Sequence, residues 1–272
     1  MELKDIIITP FVILFVYIVA YRLRSKLTDR WNKKYYIPVL TLKICCAVAL
    51  GLIYQHYYQY GDTLNYHTKG SRIIYQAFQD SPLIGLKLIL GGGEYQADTY
   101  HYASKIVFYK HHNAYIVVKI AAIFDLFTFS SYAGTAVLFA ATSFIGCWLF
   151  FLVFYKRLPQ YHLLLALVTL FMPSVLFWGS GILKDSITFG ALGVMLFYLD
   201  KFYRVRNWTY LELICVLFSA YLIFTIKSYI LFSFLPTVLL WYAVNFIRDI
   251  RSVVLKLIIA PLLLITGVLL SA

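Results

Sequence analysis

The stretch TYLELICVLFSAYLIFTIKSYILFSFLPTVLLWYAVNF, residues 209–246, carries only two charged side chains, Glu212 near its start and Lys227 at its middle. As one α-helix rising 1.5 Å per residue it would be about 57 Å long, nearly twice the ~30 Å hydrocarbon core of a bilayer. The chain must therefore double back, and Lys227-Ser228 is the polar place to do so. Working outward by the same length rule gives eight spans, at 5–21, 37–56, 132–154, 161–178, 183–200, 209–226, 228–246 and 254–271.

Composition agrees. Of 272 residues, 62% are hydrophobic and 13% charged, and the mean hydropathy is +0.78, outside the range of a soluble globular domain. Helices are the expected spanning element, because backbone amides must be satisfied internally where water is absent. The alternation of a β-barrel is missing. The expected fold is an all-α polytopic bundle forming a single membrane domain over residues 1–272, with residues 57–131 as a helical extracytoplasmic subdomain after the second span.

The net charge of +12 does not point to nucleic acid, because the cations cluster in alternate connections. Arg22, Arg24, Lys26, Arg30, Lys33 and Lys34 follow the first span; Lys156 and Arg157 the third; Lys201, Arg204 and Arg206 the fifth; Arg248, Arg251 and Lys256 the seventh. That is the positive-inside pattern, so these connections face the cytoplasm and both termini lie outside. The apolar run near the amino terminus has its basic flank behind it, the reverse of a cleaved signal, and is expected to stay as an anchor. The localisation implied is an integral membrane protein of a bacterial inner membrane.

The four cysteines lie inside apolar runs without metal-ligand spacing and read as small core residues. The sequon Asn207-Trp208-Thr209 falls on the cytoplasmic side and is discounted. Within 57–131, SRIIYQAFQ reads as an amphipathic helix, PLIGLKLIL as an apolar piece and Gly91-Gly92-Gly93 as a break. Residues Tyr115 to Phe129 resemble a ninth span, but counting them would put the later basic connections outside. They are expected on or partly in the outer leaflet, with Lys119 and Asp125 available to polar partners.

Three polar features then converge on the outer face. YGDTLNYHTKG, residues 60–70, carries Asp62, Tyr66, His67 and Lys69. FWGSGILKDS, residues 177–186, joins the fourth and fifth spans and carries Ser180, Lys184 and Asp185. The third is the turn at Lys227. A charge at mid-membrane costs about 2.5 to 3.5 kcal/mol, so residues 173–181 should bring the chain to the interface. Lys184 and Asp185 then start a helix, where free N–H groups and the dipole favour an anion such as phosphate. The plainer alternative is a turn made by Gly and Ser, with Asp185 stabilising the helix start and Lys184 snorkelling to headgroups. GSGILKDS is neither a P-loop nor a nucleophile elbow. Asp62 is either turn chemistry or, as an ionised carboxylate at the mouth of the bundle, a base. His56 and His67 flank it, and no histidine set has zinc spacing.

GDTLNYH, an acid followed by a tyrosine in the first outer loop, together with PSVLFWGSGILKDS, residues 173–186, resembles the GT-C superfamily of polyprenyl-phosphate-sugar-dependent glycosyltransferases. The resemblance extends in layout over roughly residues 1 to 230. It implies Asp62 as the catalytic base towards an acceptor hydroxyl, and Lys184 and Lys227 as holders of the lipid phosphate. Asp185, Tyr66, His67 and Ser180 complete the expected substrate-binding set. The implied partners are a lipid-linked sugar donor, a glycan, lipid or protein acceptor, and membrane lipids, with no nucleic acid; a divalent cation is the one cofactor left open. A transporter or flippase for an anionic lipid or solute would use the same cations, and a non-catalytic envelope-complex partner would use the tyrosine-rich outer segment for docking.

Overall fold

The computed structural model describes residues 2–205 and 209–249, which are all-helical. The expected last span, the sequon at Asn207, and Arg206, Arg251 and Lys256 lie outside the described residues. Helix α1 (Leu3–Leu27) pairs with α2 (Lys33–Ile53), which runs on through a π-turn, Tyr54–Tyr58. Residues 57–131 contribute α3 (Asp62–Tyr66), α4 (Arg72–Asp80), α5 (Pro82–Leu90), α6 (Tyr100–Ala103) and α7 (His112–Thr128). Then come α8 (Tyr132–Tyr155), α9 (His162–Thr169), α10 (Pro173–Phe177), α11 (Lys184–Val205) and α12 (Tyr210–Asp249). Four helical stretches among the described residues are long and apolar enough to cross a membrane: Leu3–Leu27, Lys33–Tyr58, Tyr132–Tyr155 and Tyr210–Tyr242.

The chain reverses inside α12, at Lys227, whose φ of −146° and ψ of 74° are not helical. Its two limbs lie against the same partner. Glu212 pairs with Lys201, and the Tyr242 hydroxyl donates to the Leu199 carbonyl at 2.5 Å. Leu199 and Lys201 are close neighbours on α11, whereas a straight helix would separate Glu212 from Tyr242 by about 45 Å. The reversal required by length is thus made at the lysine.

Helix α8 is the hub. Its Phe144, Cys147, Trp148 and Phe151 are buried against α1 and α2, with the Trp148 ring 4.8 Å from that of Tyr36 and nearly perpendicular to it. On its other side α8 meets α11 through Gly146, Gly190 and Gly193, where a Cβ on Gly146 or Gly193 would strike the other helix's backbone. Small residues let two backbones approach in this way, which matters where lipid supplies no hydrophobic drive between helices.

Residues 161–178 do not form the continuous helix expected of a span. A 3₁₀ turn at Pro159–Tyr161 leads into α9, which stops at Thr169, and Met172 is extended before α10. Pro173 explains the stop: it lacks an N–H, and it biases the residue before it away from the helical region.

Helix α7 is more deeply embedded than a segment lying on a leaflet. Tyr115, Val117, Val118, Ala121, Ala122 and Asp125 are all buried. The apolar ones share one cluster with Ala47 of α2, Ala136 and Phe139 of α8, Ile187 of α11 and Ile226 of α12. The segment carrying α3 to α7 is therefore docked on the bundle through a common core.

Candidate functional site

The bundle has two chemically different ends. At one, Trp148 Nε1 donates to the Leu27 carbonyl at 3.1 Å and Arg24 to the Lys33 carbonyl at 3.1 Å. There too, buried Asp200 accepts from Arg157 at 2.5 Å and from Arg204 at 2.8 Å. The basic connections after α1, α8 and α11 thus gather together. At the opposite end lie the starts of α1, α8 and α11, the end of α2 and the reversal at Lys227.

Asp62, Lys184, Asp185 and Lys227 all lie at that second end, and the direct contact among them is the Asp185–Lys227 pair. Lys227 Nζ is 2.5 Å from Asp185 Oδ1 across forty-two residues of chain. The Lys184 ammonium interacts electrostatically with Asp62, Lys227 and Asp185. Buried Tyr66 reports the same grouping: burial first, then the Asp62 and Asp185 carboxylates, raise the pKa of its hydroxyl. Asp62 is exposed and begins α3 after Gly61, whose φ of +134° is one that L side chains rarely adopt. Thr63, next in the chain, shares a 2.6 Å hydrogen bond with the Tyr132 hydroxyl, which ties this turn to the top of α8.

Below the Asp185–Lys227 pair is a cavity of ≈ 370 Å³ lined by Trp178, Asp185, Thr188, Phe189, Leu192 and Ile230, among others. Asp185, Thr188, Phe189 and Leu192 follow the spacing of one helical face, so the wall passes from charged to apolar down α11. Among the described residues no three His, Cys, Asp or Glu side chains converge as metal donors. Asp62 and Asp185 are the carboxylates nearest the cations.

Two expected site residues are placed elsewhere. Ser180 is fully buried and its hydroxyl donates to the Leu176 carbonyl, one turn back, so it is not presented to the site. His67 is fully buried on another side of the 62–67 segment, with Nε2 3.4 Å from Asp125 Oδ1. That carboxylate is held by the hydroxyls of Ser71 at 2.7 Å and Thr135 at 2.5 Å, and Asp5, hydrogen-bonded by Ser131 at 2.7 Å, lies near the imidazole.

Lys43, a candidate only for the polar path that a transporter would need, is fully buried in α2. Its ammonium donates to Ser143 Oγ at 3.1 Å, to the Val175 carbonyl at 3.3 Å and to the Gly179 carbonyl at 2.8 Å. It thereby occupies carbonyls where α10 ends, and holds the broken 173–183 connection that leads into Lys184. The available signal was a lysine inside a long apolar run, a position that calls for a partner. Comparison with protein families, with curated proteins and with solved structures finds no match to this chain.

Proposed function

We propose that the protein is a membrane glycosyltransferase that moves a sugar from a polyprenyl-phosphate-type lipid to an acceptor hydroxyl, in the assembly of a cell-envelope glycan. The observation that carries this reading is the Asp185–Lys227 contact, with Lys184 and Asp62 from the same and a third segment close enough to act on it electrostatically, at the end of the bundle away from the basic connections. With the basic end in the cytoplasm, the positive-inside rule puts that meeting point at the outer face of a bacterial inner membrane and both termini outside, with eight crossings in all.

In this mechanism the Asp62 carboxylate takes the acceptor's hydroxyl proton as its oxygen attacks the anomeric carbon. The bond from that carbon to the phosphate oxygen breaks, and the lipid phosphate leaves with the electron pair. Phosphate departs as a stable anion, so one base suffices, in contrast to glycoside hydrolysis, where a second carboxyl protonates the leaving group. Lys184 and Lys227 stabilise the departing charge, and the incoming phosphate competes with Asp185 for Lys227. Asp62 and Asp185 are the carboxylates that would hold a divalent cation beside that phosphate. The apolar wall of Phe189, Leu192 and Ile230 offers the lipid chain a path towards the bilayer.

The test is transfer of labelled sugar from polyprenyl-phosphate donors in membranes carrying Asp62→Asn or Lys184→Gln, with expression and folding controlled. Loss of transfer in both is expected. Full activity of the Asp62 variant removes the proposed base, and labelling that finds positions 62 and 184 on opposite faces removes the site.

A further inference from the structure

A second cavity, this one polar, lies beside the first site and is not used by the transfer mechanism. It has a volume of ≈ 280 Å³, and Glu2, Asp5, Asn65, His67, Lys69 and Arg72 contribute to its wall. Within it, His67 is fully buried and neither of its ring nitrogens makes a hydrogen bond, while Arg72 Nε is buried and likewise unpaired. Buried polar atoms are normally satisfied, so two residues with unpaired buried nitrogens at one cavity point to a ligand that bonds them.

Charge narrows the ligand's class. Glu2 and Asp5 offset Lys69 and Arg72 in the wall, so its lining carries no net formal charge to favour an anion. Part of this balance is made internally: the Arg72 guanidinium is 2.7 Å from Glu2 Oε1, and Asp5 accepts from the Glu2 amide at 2.8 Å. Behind the wall, Asp125 Oδ1 lies 3.4 Å from His67 Nε2 without a hydrogen bond, so the imidazole keeps its hydrogen-bonding capacity. Arg72 Nε–H only donates, whereas a ring nitrogen donates or accepts by tautomer; a hydroxyl can answer both. The volume is at the small end of ligand pockets.

We propose that this cavity binds a neutral, hydroxylated ligand of monosaccharide size, with His67 and Arg72 as its buried hydrogen-bonding contacts. The binding claim stands without the transfer mechanism. Only identifying the occupant with the acceptor rests on that reading, and for that identification the cavity lies on the same short 60–72 stretch that carries Asp62.

The test uses the full chain in lipid nanodiscs and reads thermal unfolding in the presence of D-glucose, D-galactose or N-acetyl-D-glucosamine. L-glucose serves as the osmolyte control and inorganic phosphate as the anion arm. A sugar present at roughly ten times its Kd should raise Tm by about 3 °C beyond the L-glucose value. Asn65→Leu and Arg72→Met should each abolish that excess, and two variants guard against one failing to fold. Lys184→Gln should retain it, so loss of sugar transfer and loss of this site are read separately. The proposal is overturned if no D-sugar exceeds L-glucose, if both cavity variants keep the excess, or if phosphate gives the only specific rise.

Discussion

The two ends of this bundle are built from similar helices but solve the problem of charge differently. At the basic end, carboxylates are met by cations: Asp200 by Arg157 from the end of α8 and by Arg204 one turn along its own helix, and Glu212 by Lys201 across helices. At the other end the helices are interrupted, by the π-turn at Tyr54–Tyr58 and the reversal at Lys227, and two cavities, one largely apolar and one polar, are lined from that end. Regular helix satisfies its own backbone, so it leaves little to bind with. Broken helix frees donors and acceptors, and chemistry gathers where protein or ligand can meet them.

The contrast can be broken most severely at Asp62. Asp62→Asn is expected to lower sugar transfer by about 10²- to 10⁴-fold, the usual worth of a general base, in a single-turnover assay with unchanged expression. The next largest effect belongs to the packing that holds the two ends in register. Gly193→Leu drives a branched side chain into the backbone of α8 and should cost about 3 kcal/mol or more, seen as loss of folded protein in denaturant titration.

Lys43→Met tests the link between hub and broken connection. It leaves the carbonyls of Val175 and Gly179 without their donor, at a cost of about 1 to 3 kcal/mol. Faster labelling of a cysteine placed at Trp178 should accompany the loss; an unchanged labelling rate would mean that α10 holds itself. Lys184→Gln should weaken binding of an anionic lipid phosphate about tenfold, read as a displaced titration curve in nanodiscs. The smallest effect sharpens the comparison from the other end. Arg204→Ala should change stability by less than about 1 kcal/mol, because Arg157 still meets Asp200 and the Arg204 side chain is 38% exposed.

Parts of this arrangement are legible one residue at a time. The excess apolar length of 209–246 demands a reversal, and Lys227 is where it occurs. The grouping of Lys156, Lys201 and the cations after α1 separates the two ends before any packing is known. The break in 161–178 is only half legible: Pro173 announces it, but the surrounding residues are as apolar as those of an intact span. Ser180 was misread because serine beside glycine looks like exposed turn chemistry, whereas its hydroxyl is turned inward to a carbonyl. His67 reads as a neighbour of Asp62, yet short irregular helices point adjacent side chains in different directions.

The amino-acid sequence by itself determined that this is a helical membrane protein, that α12 must reverse, and that cations are segregated by connection. These follow from length, hydropathy and charge, which are local and additive along the chain. Tertiary structure alone decided that Lys43 would hold α10 from a hundred and more residues away, that three glycines would seat α11 on α8, and that His67 would face Asp125. Each is a directional contact between distant segments, and its partner exists only after the helices have packed.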